Sequence, residues 1–326
     1  MKSYVTGFLC VLLGALAGCA TRCDDAEVEV DPNLTVFLSD IHIQGGKESP
    51  RHQNALFEAC VDEIEKLRPR PARAVIFGDI ACFYGRAVDY AAARPLLARL
   101  ERLMPVTFTT GNHDHRAALS AAFPRPAAAS PVSGRFASVV DLGGADLLLL
   151  DTLHETAPAD GWNKGDGEIG KEQCDWLLAE AKRRTRPFFV GAHHAPTDIT
   201  DRGREAVAAL AANPQFAGWI HGHDHFWRKG LMVRGWNDSA LNRRPFRVTC
   251  LPSSGYWGDI GFVLARTLPD GAELRNVERD FFFLNPLKPG EKRPDDWNRY
   301  VRENDGDTVR IYWPSDGNKH ERNVTQ

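Results

Sequence analysis

Residues 34–43 read LTVFLSDIHI and residues 73–80 read RAVIFGDI. Each stretch begins with a short apolar run of strand length, and the run ends at an aspartate. The two runs predict buried strands at Leu34–Ser39 and Arg73–Phe77. Short buried strands of this kind, when they alternate with helical patterns, are typical of an α/β layer architecture.

The same alternation continues along the chain. Further buried strands are predicted at Pro105–Thr109, Leu147–Leu150, Phe188–Ala192 and Phe216–Ile220. Helical spacing of apolar residues occurs between the strands, at Leu56, Cys60, Ile64 and Leu67, at Leu96, Leu97, Leu100 and Leu103, at Glu172–Arg183 and at Arg202–Ala211.

Antiparallel pairing is also predicted. Gly143-Gly144 is a two-residue link of the kind that joins a tight hairpin, here between Arg135–Leu142 and Ala145–Leu150. Phe246–Leu251, Gly261–Thr267 and Glu273–Phe283 indicate further antiparallel strands downstream. The fold class is therefore predicted to be α/β with mixed sheets. One more strand is expected at Val309–Trp313, within an irregular extension.

Residues that can bind metal follow five of the predicted strands directly. They are Asp40 and His42, Gly78-Asp79, Gly111-Asn112-His113-Asp114, His193-His194, and His221-Gly222-His223-Asp224-His225. In open α/β sheets, ligands bind in loops beyond the carboxyl ends of the strands, so these loops are expected to converge. Carboxylate, amide and imidazole groups suit Mn, Fe or Zn. A pair of divalent ions that share the Asp79 carboxylate is the simplest interpretation.

The order Asp-x-His, Gly-Asp, Gly-Asn-His-Asp, His and Gly-His-x-His, which covers about Leu34 to Leu268, resembles the calcineurin-like metallophosphoesterase superfamily. The resemblance implies a four-layer α/β/β/α double β-sandwich with a two-metal site at the strand ends. It also implies a ligand set, in which Asp79 bridges the ions: Asp40, His42 and His225 for the first ion, and Asn112, His223 and one histidine of the 193/194 pair for the second.

Two points of the resemblance concern histidines. His-x-Pro is frequent in the family and favours His194 as the ligand, whereas the strand-end position favours His193, which stays an alternative. His113 is expected to stabilise the phosphoryl oxygens or to protonate the leaving group, with Asp114 orienting its ring. Hydroxide on the metals would then attack the phosphate ester directly.

Subfamily patterns narrow the substrate only in part. Purple acid phosphatases carry a tyrosine ligand three residues after the bridging aspartate, where this chain has Cys82, so a tyrosinate-ferric centre is not expected. Class III cyclic-nucleotide phosphodiesterases resemble the metal pattern more closely, although Asp114 stands where they often have glutamate. Specificity is expected from rim loops at Glu155–Glu168, which contains Trp162, and at Phe226–Pro245. The candidate substrate-binding residues are Trp227, Arg228, Tyr256 and Trp257.

The N-terminal residues predict export. An apolar run at Val5–Leu16 leads to Leu-Ala-Gly-Cys, which resembles the lipobox of bacterial lipoproteins and predicts lipidation of Cys19. An ordinary signal peptide cleaved nearby is the alternative, and the run is too short to span a bilayer. A formal charge of −3, without a long block of like charge, gives no nucleic-acid-binding signature.

The predicted organisation is a signal peptide at 1–18, a lipidated N-terminus and tether at 19–33, a catalytic domain at 34–284 and an irregular extension at 285–326. The predicted function is hydrolysis of a small-molecule phosphate ester, such as a nucleotide or a glycerophosphodiester, with phosphodiesters favoured. The predicted location is the bacterial cell envelope, as a periplasm-facing lipoprotein anchored in the outer membrane. The alternatives are a phosphomonoesterase, a nucleotide pyrophosphatase, and a catalytically idle metal-binding protein of the cell envelope.

Overall fold

A computed structural model describes residues 28–46, 51–156, 161–232, 246–256, 258–278 and 304–313. The predicted signal peptide and Cys19 lie outside these residues, as does Trp257. Within the described part of the chain, no helix combines the length and the apolar character needed to cross a bilayer.

The elements alternate as the sequence predicts. The strands are β1 (Val30–Leu38), β2 (Arg70–Ile76), β3 (Val106–Phe108), β4 (Ser138–Asp141), β5 (Asp146–Leu149), β6 (Phe188–Ala192), β7 (Phe216–His221), β8 (Arg228–Met232), β9 (Arg247–Cys250), β10 (Gly261–Leu268), β11 (Gly271–Glu278) and β12 (Thr308–Tyr312). The helices are α1 (Arg51–Lys66), α2 (Ala87–Glu101), α3 (Arg116–Ala122), α4 (Pro124–Ala129), α5 (Lys171–Arg183) and α6 (Gly203–Ala211), with a 3₁₀ turn at Pro196–Asp198.

The described strands form two six-stranded sheets at the centre of the molecule. The first has the order β12-β11-β10-β1-β2-β3 and the second the order β4-β5-β6-β7-β9-β8. Parallel pairing runs through β1-β2-β3 in the first sheet and through β5-β6-β7-β9 in the second. Antiparallel pairing adds β10, β11 and β12 to the first sheet and β4 and β8 to the second. The prediction of mixed sheets and of the Gly143-Gly144 hairpin is confirmed, since β4 pairs antiparallel with β5.

Alternating side chains of the strands divide the core into three layers. On β1, Val36 and Leu38 pack with α1 and α2, whereas Phe37 packs between the two sheets. On β5, Leu147 and Leu149 lie between the sheets, whereas Leu148 packs against α5 and α6. The order of layers is thus helix, sheet, sheet, helix, which confirms the predicted four-layer fold.

The structure corrects the boundaries at both ends of the predicted domain. β1 begins at Val30, so the last residues of the predicted tether belong to the first sheet. β12 pairs with β11, and Trp313 after it is buried between the sheets. The predicted domain end at residue 284 is therefore too early, since it leaves out β12. The sequence placed this strand in an irregular extension, because a long polar segment precedes its short apolar run.

Candidate metal centre

The loops after the parallel strands lie side by side at one end of the two sheets. The loop after β1 runs along the loop after β2, since the backbone N–H of Asp40 donates to the Gly78 carbonyl at 3.2 Å and that of His42 to the Asp79 carbonyl at 2.9 Å. The second sheet adds the loops after β6 and β7 at the same end. Sequence positions far apart therefore meet, as the convergence of strand ends predicts.

One group of side chains gathers around Asp40. Its Oδ1 lies 3.2 Å from His225 Nε2 and 3.8 Å from His42 Nε2. The two imidazole Nε2 atoms are 3.2 Å apart. Asp40 Oδ2 is held in place by the Ser39 hydroxyl at 2.6 Å and the His223 backbone N–H at 3.0 Å. Asp40 Oδ1 is therefore the carboxylate oxygen that faces His42 and His225.

A second group gathers around Asn112. Its Oδ1 lies 3.0 Å from His193 Nε2 and 3.0 Å from His223 Nδ1, and these two ring nitrogens are 3.3 Å apart. Asp79 stands between the two groups, with its Oδ2 at 3.5 Å from His42 Nε2 and at 3.3 Å from His193 Nε2. Asp79 therefore contacts both groups, and its role as a bridging ligand stays a prediction.

Backbone carbonyls orient two of the imidazoles. His42 Nδ1 lies 3.1 Å from the Cys82 carbonyl, and His193 Nδ1 lies 2.8 Å from the Phe77 carbonyl. Because a carbonyl only accepts, each Nδ1 carries a hydrogen, and in the neutral form of either ring the Nε2 lone pair would face the cluster. A partner of this kind on the outer nitrogen is usual for metal-binding histidines.

His193 and His194 differ in what their rings meet. His194 Nδ1 lies 2.9 Å from the Thr152 hydroxyl, and its Nε2 is buried without a hydrogen-bond partner. Its ring nitrogen is within 4.8 Å of those of His193 and His223, so it could still join a metal site. Contact with both Asn112 and Asp79, however, favours His193 over His194 as the ligand.

The backbone at the cluster is strained. Among the described residues, the non-glycine residues with positive φ are Asp40 (52°), His42 (45°), Asp79 (50°), His223 (71°) and His225 (65°). All five are predicted ligands. Left-handed backbone is unfavourable for residues with a Cβ, so its concentration here indicates a site that the surrounding fold enforces.

The electrostatics of the cluster are compatible with bound cations. Although burial opposes it, His225 and His193 hold the pKa of Asp40 below its usual range. Burial lowers the pKa of His42 to about 3, whereas for His193 the Asp79 and Asp40 carboxylates outweigh burial and raise the pKa to about 9. Asp40 Oδ1 is buried with no hydrogen-bond partner. Carboxylate, amide and neutral imidazole groups packed this closely fit divalent metal ions.

The close approach of the loops requires glycine at two places. A Cβ on Gly111 would lie 2.1 Å from Asp79 Oδ1, and a Cβ on Gly222 would lie 1.8 Å from Ser39 Oγ and 2.6 Å from Asp40 Oδ2. The glycines of the Gly-Asn-His-Asp and Gly-His-x-His motifs therefore allow the ligand loops to touch.

The role predicted for Asp114 is wrong. Its carboxylate accepts from the backbone N–H groups of Ile80, Ala81 and Gly111 and from the Tyr90 hydroxyl, at 3.0–3.2 Å. His113 Nδ1 is buried without a hydrogen-bond partner, so Asp114 does not orient that ring. Burial and the nearby Asp79 charge raise the pKa of Asp114 to about 7. Asp114 joins the Gly-Asp loop to the Gly-Asn-His-Asp loop, while His113 lies beside the ligands, its Nε2 3.9 Å from Asp79 Oδ2.

A cavity of about 400 Å³ opens over the ligands. His113 lines it, together with Phe83, Trp162 and Tyr256. Tyr256 also lines the cavity, and its role in substrate binding stays a prediction. Phe83 is not among the residues predicted from the sequence. Its position four residues after Asp79 is the one signal that could have indicated it. The rim loop predicted at Glu155–Glu168 supplies Trp162.

Two other candidate substrate-binding residues, Trp227 and Arg228, lie outside this cavity. Trp227 is only 5% exposed and packs between the sheets, where its Nε1 donates to Asp307 at 3.0 Å, so the prediction for it is wrong. Arg228 begins β8 and pairs with Asp224 at 2.8 Å, apart from the described residues that line the cavity. β8 also replaces part of the loop predicted at Phe226–Pro245.

Comparison with known proteins agrees with this geometry. The sequence model of the calcineurin-like phosphoesterase family matches residues 34–226. The chain belongs to that family. The matched region of this calcineurin-like phosphoesterase contains each of the predicted ligands, from Asp40 to His225, as well as His113.

Individual relatives agree with the family. A probable cyclic nucleotide phosphodiesterase of Synechococcus sp. (strain WH7803) is 27% identical over 216 residues, which are 60% of this chain and 76% of that protein. A dimetal phosphatase from Danio rerio superposes with a TM-score of 0.52 at 15% identity, over 74% of this chain and 95% of that one. The purple acid phosphatase PPD1 of yellow lupin (Lupinus luteus) superposes with a TM-score of 0.54 at 13% identity, over 75% and 51%. The two structures share the fold.

The protein is accordingly a metal-dependent phosphoric ester hydrolase. The His and Asp cluster can hold divalent metal ions, and a small-molecule phosphate ester fits the family.

Proposed function

We propose that the protein is a phosphodiesterase that uses two divalent ions, with Asp79 as the shared ligand. The observation that carries this proposal is the position of Asp79 Oδ2, which is 3.5 Å from His42 Nε2 in one ligand group and 3.3 Å from His193 Nε2 in the other. The first ion would be held by Asp40, His42 and His225, and the second by Asn112, His193 and His223. Such a pair, when bound, supplies acidified water and neutralises charge on the phosphoryl oxygens.

His113 is the residue of this chain that we assign to the leaving group. It lines the cavity beside the ligands, and its ring packs at 4.9 Å from the His42 ring and at 4.8 Å from the Trp162 ring. An imidazole at this place can give a proton to the departing ester oxygen. Its backbone N–H donates to Asp79 Oδ1 at 2.8 Å, which keeps its ring next to the ligand cluster.

The preference for diesters rests on space and on similarity. The cavity extends past the ligands to Phe83, Trp162 and Tyr256, and this space can take a second substituent on the phosphorus. The relative from Synechococcus, described as a probable cyclic nucleotide phosphodiesterase, supports the same choice.

The test uses protein stripped of metal, reloaded with Mn, and assayed on an activated phosphodiester, on the matching monoester and on a nucleotide with a phosphoanhydride bond. A higher kcat/KM for the diester is expected. Preference for the monoester would replace the proposal with a phosphatase, and cleavage of a nucleotide's phosphoanhydride alone would replace it with a pyrophosphatase.

A variant pair tests whether the site is catalytic. His113→Ala should lower kcat by about 10²–10⁴-fold, the range of a lost general acid, while metal content stays at the wild-type level. His154→Ala is the matched control, because His154 is partly buried and pairs with Asp166 at 2.8 Å instead of lining the cavity. Equal kcat for His113→Ala and the control would instead favour a metal-binding protein without this chemistry.

A second pair tests the ligand assignment. His193→Ala should bind about one equivalent less metal than the wild type, whereas His194→Ala should keep the wild-type content. Metal per protein is measured after reloading, with thermal unfolding to verify that both variants fold. The opposite result would assign the position to His194.

Export and anchoring belong to the same proposal. The sequence of residues 1–19 supports attachment to the bacterial cell envelope through a lipid on Cys19. Metabolic labelling with a fatty acid should mark the wild type and not Cys19→Ser. Equal labelling of that variant would refute the anchor.

A further inference from the structure

The cavity over the metal centre has two chemically different parts. One part is formed by ligand side chains, and these can meet a phosphate group. The other part is formed by Phe83, Trp162 and Tyr256, three aromatic side chains. A volume of about 400 Å³ falls within the range of about 300–1,000 Å³ for small-ligand pockets, and it exceeds what a phosphate group alone requires.

The three aromatic rings form a connected wall. Phe83 lies in the middle, with ring centroids 6.1 Å from Trp162 and 6.1 Å from Tyr256. The Phe83 and Tyr256 planes are inclined by 86°, so these rings meet edge to face. Tyr256 also lies 4.9 Å from the His42 ring, and Trp162 lies 4.8 Å from His113. The aromatic wall is therefore directly adjacent to the ligand His42 and to His113.

Trp162 is exposed and yet held in place. It is 53% exposed, the largest exposed fraction among the large hydrophobic residues of the described chain. The residues on both sides of it form hydrogen bonds with the last residue of the Gly-Asn-His-Asp motif and with the residue that follows it. The Asn163 amide donates to the Asp114 carbonyl at 2.9 Å, and the Gly161 carbonyl lies 3.0 Å from His115 Nε2.

The exposure of Trp162 distinguishes it from a tryptophan that covers the hydrophobic core. A tryptophan that covers core is mostly buried, as Trp227 and Trp219 are. Trp162 instead presents apolar area to solvent beside a cavity, and its flanking hydrogen bonds limit the entropy that a ligand would have to remove.

We propose that Trp162, Phe83 and Tyr256 bind a nucleobase carried by the phosphate ester, so that the substrate class is a nucleotide ester. This inference rests on the proposed function, because the ligand cluster would hold the phosphate of the same molecule. A nucleobase has the planar face that stacks on aromatic side chains, and such stacking does not depend on the identity of the base.

Binding constants test the proposal without turnover. On Mn-loaded protein, adenosine 5′-monophosphate should bind about 5- to 150-fold more tightly than ribose 5-phosphate, the range expected for one stacked base. Trp162→Ala should remove most of that ratio and leave the Kd of inorganic phosphate unchanged. Trp162→Phe, which keeps a ring, should retain part of the ratio. Leu178→Ala, an exposed change on α5, serves as the control and should leave all three constants at their wild-type values.

The possible outcomes separate the two proposals. Equal affinity for adenosine 5′-monophosphate and ribose 5-phosphate would overturn the nucleobase site while leaving the metal-dependent function intact. The same would follow if Trp162→Ala weakened phosphate and nucleotide equally, since Trp162 would then act through the metal centre. Failure of phosphate to bind would count against the proposed function, and adenosine alone would still report on the aromatic site through quenching of Trp162 fluorescence. Quenching that persists in Trp162→Phe would refute the site.

Discussion

Tyr90→Phe should lower the free energy of unfolding far more than removal of a solvent-exposed tyrosine hydroxyl would. Tyr90 is fully buried on α2, and its hydroxyl makes two hydrogen bonds: it donates to Asp114 Oδ1 at 3.0 Å and accepts from the His115 N–H at 2.9 Å. The substitution removes both and leaves a buried N–H unsatisfied.

The magnitude follows from these two contacts. A hydrogen bond to a charged group contributes about 1.5–3 kcal/mol, and an unsatisfied buried donor costs about 1–3 kcal/mol. Because one hydroxyl serves both partners, we expect a loss of about 2–4 kcal/mol in the free energy of unfolding. In a domain of this size that corresponds to a fall in Tm of roughly 10 °C.

The assay is urea and thermal unfolding of the metal-stripped protein, so that bound ions do not add stability. We choose pH 8, above the pKa of about 7 to which burial and Asp79 raise Asp114, so that the carboxylate is ionised. Tyr84→Phe is the matched control, since Tyr84 is half-buried beside Trp162. It should change the free energy of unfolding by less than about 0.5 kcal/mol. Equal effects of the two substitutions would refute the role given to the Tyr90 hydroxyl.

Three further outcomes are expected. Gly222→Ala should weaken metal binding at least tenfold, because its Cβ would lie 2.6 Å from Asp40 Oδ2, whereas Gly165→Ala, with nothing within 4 Å, should leave metal affinity unchanged in a titration. Glu278→Gln should flatten the pH dependence of stability. Burial raises the pKa of Glu278 to about 7, so the folded wild type binds more protons than the unfolded state, and its free energy of unfolding falls from about pH 4.5 to pH 7. A series of urea titrations in which the variant kept the wild-type slope would contradict this. Removal of metal should lower Tm, since an ion at 100 times its Kd adds about 2.7 kcal/mol, and a Tm indifferent to chelator would mean that the cluster binds no ion.

The sequence carries more information about the layers and the ligands than about their surroundings. Apolar runs and helical spacing are local signals, and they predict the strands that flank the site and the helices α1, α2, α5 and α6. The ligand set follows from motif order, because strand ends converge in this kind of fold. What could not be predicted depends on packing: no local signal shows that Trp227 enters the space between the sheets, or that Thr308–Tyr312 returns to pair with β11.

The hydrogen-bond partners of the polar groups could not be predicted from the sequence either. Asp114 follows His113 directly in sequence, which suggests that the two interact, but adjacent residues in a tight loop project in different directions. The fold instead turns the Asp114 carboxylate toward Tyr90 and the backbone of Ile80 and Ala81. The choice between His193 and His194 similarly rests on which ring contacts Asn112 and Asp79.

The positive φ angles at five ligands mean that stability and function oppose each other at this site. Each costs the fold about 1–2 kcal/mol, and the metal-free cluster adds unsatisfied buried groups to that cost. Substitutions that relax the backbone there without removing a hydrogen bond would raise the stability of the metal-free protein while they abolish metal binding. A laboratory selection for thermostability alone, carried out without metal, would therefore favour inactive variants, and selection with metal present would be needed to retain the enzyme.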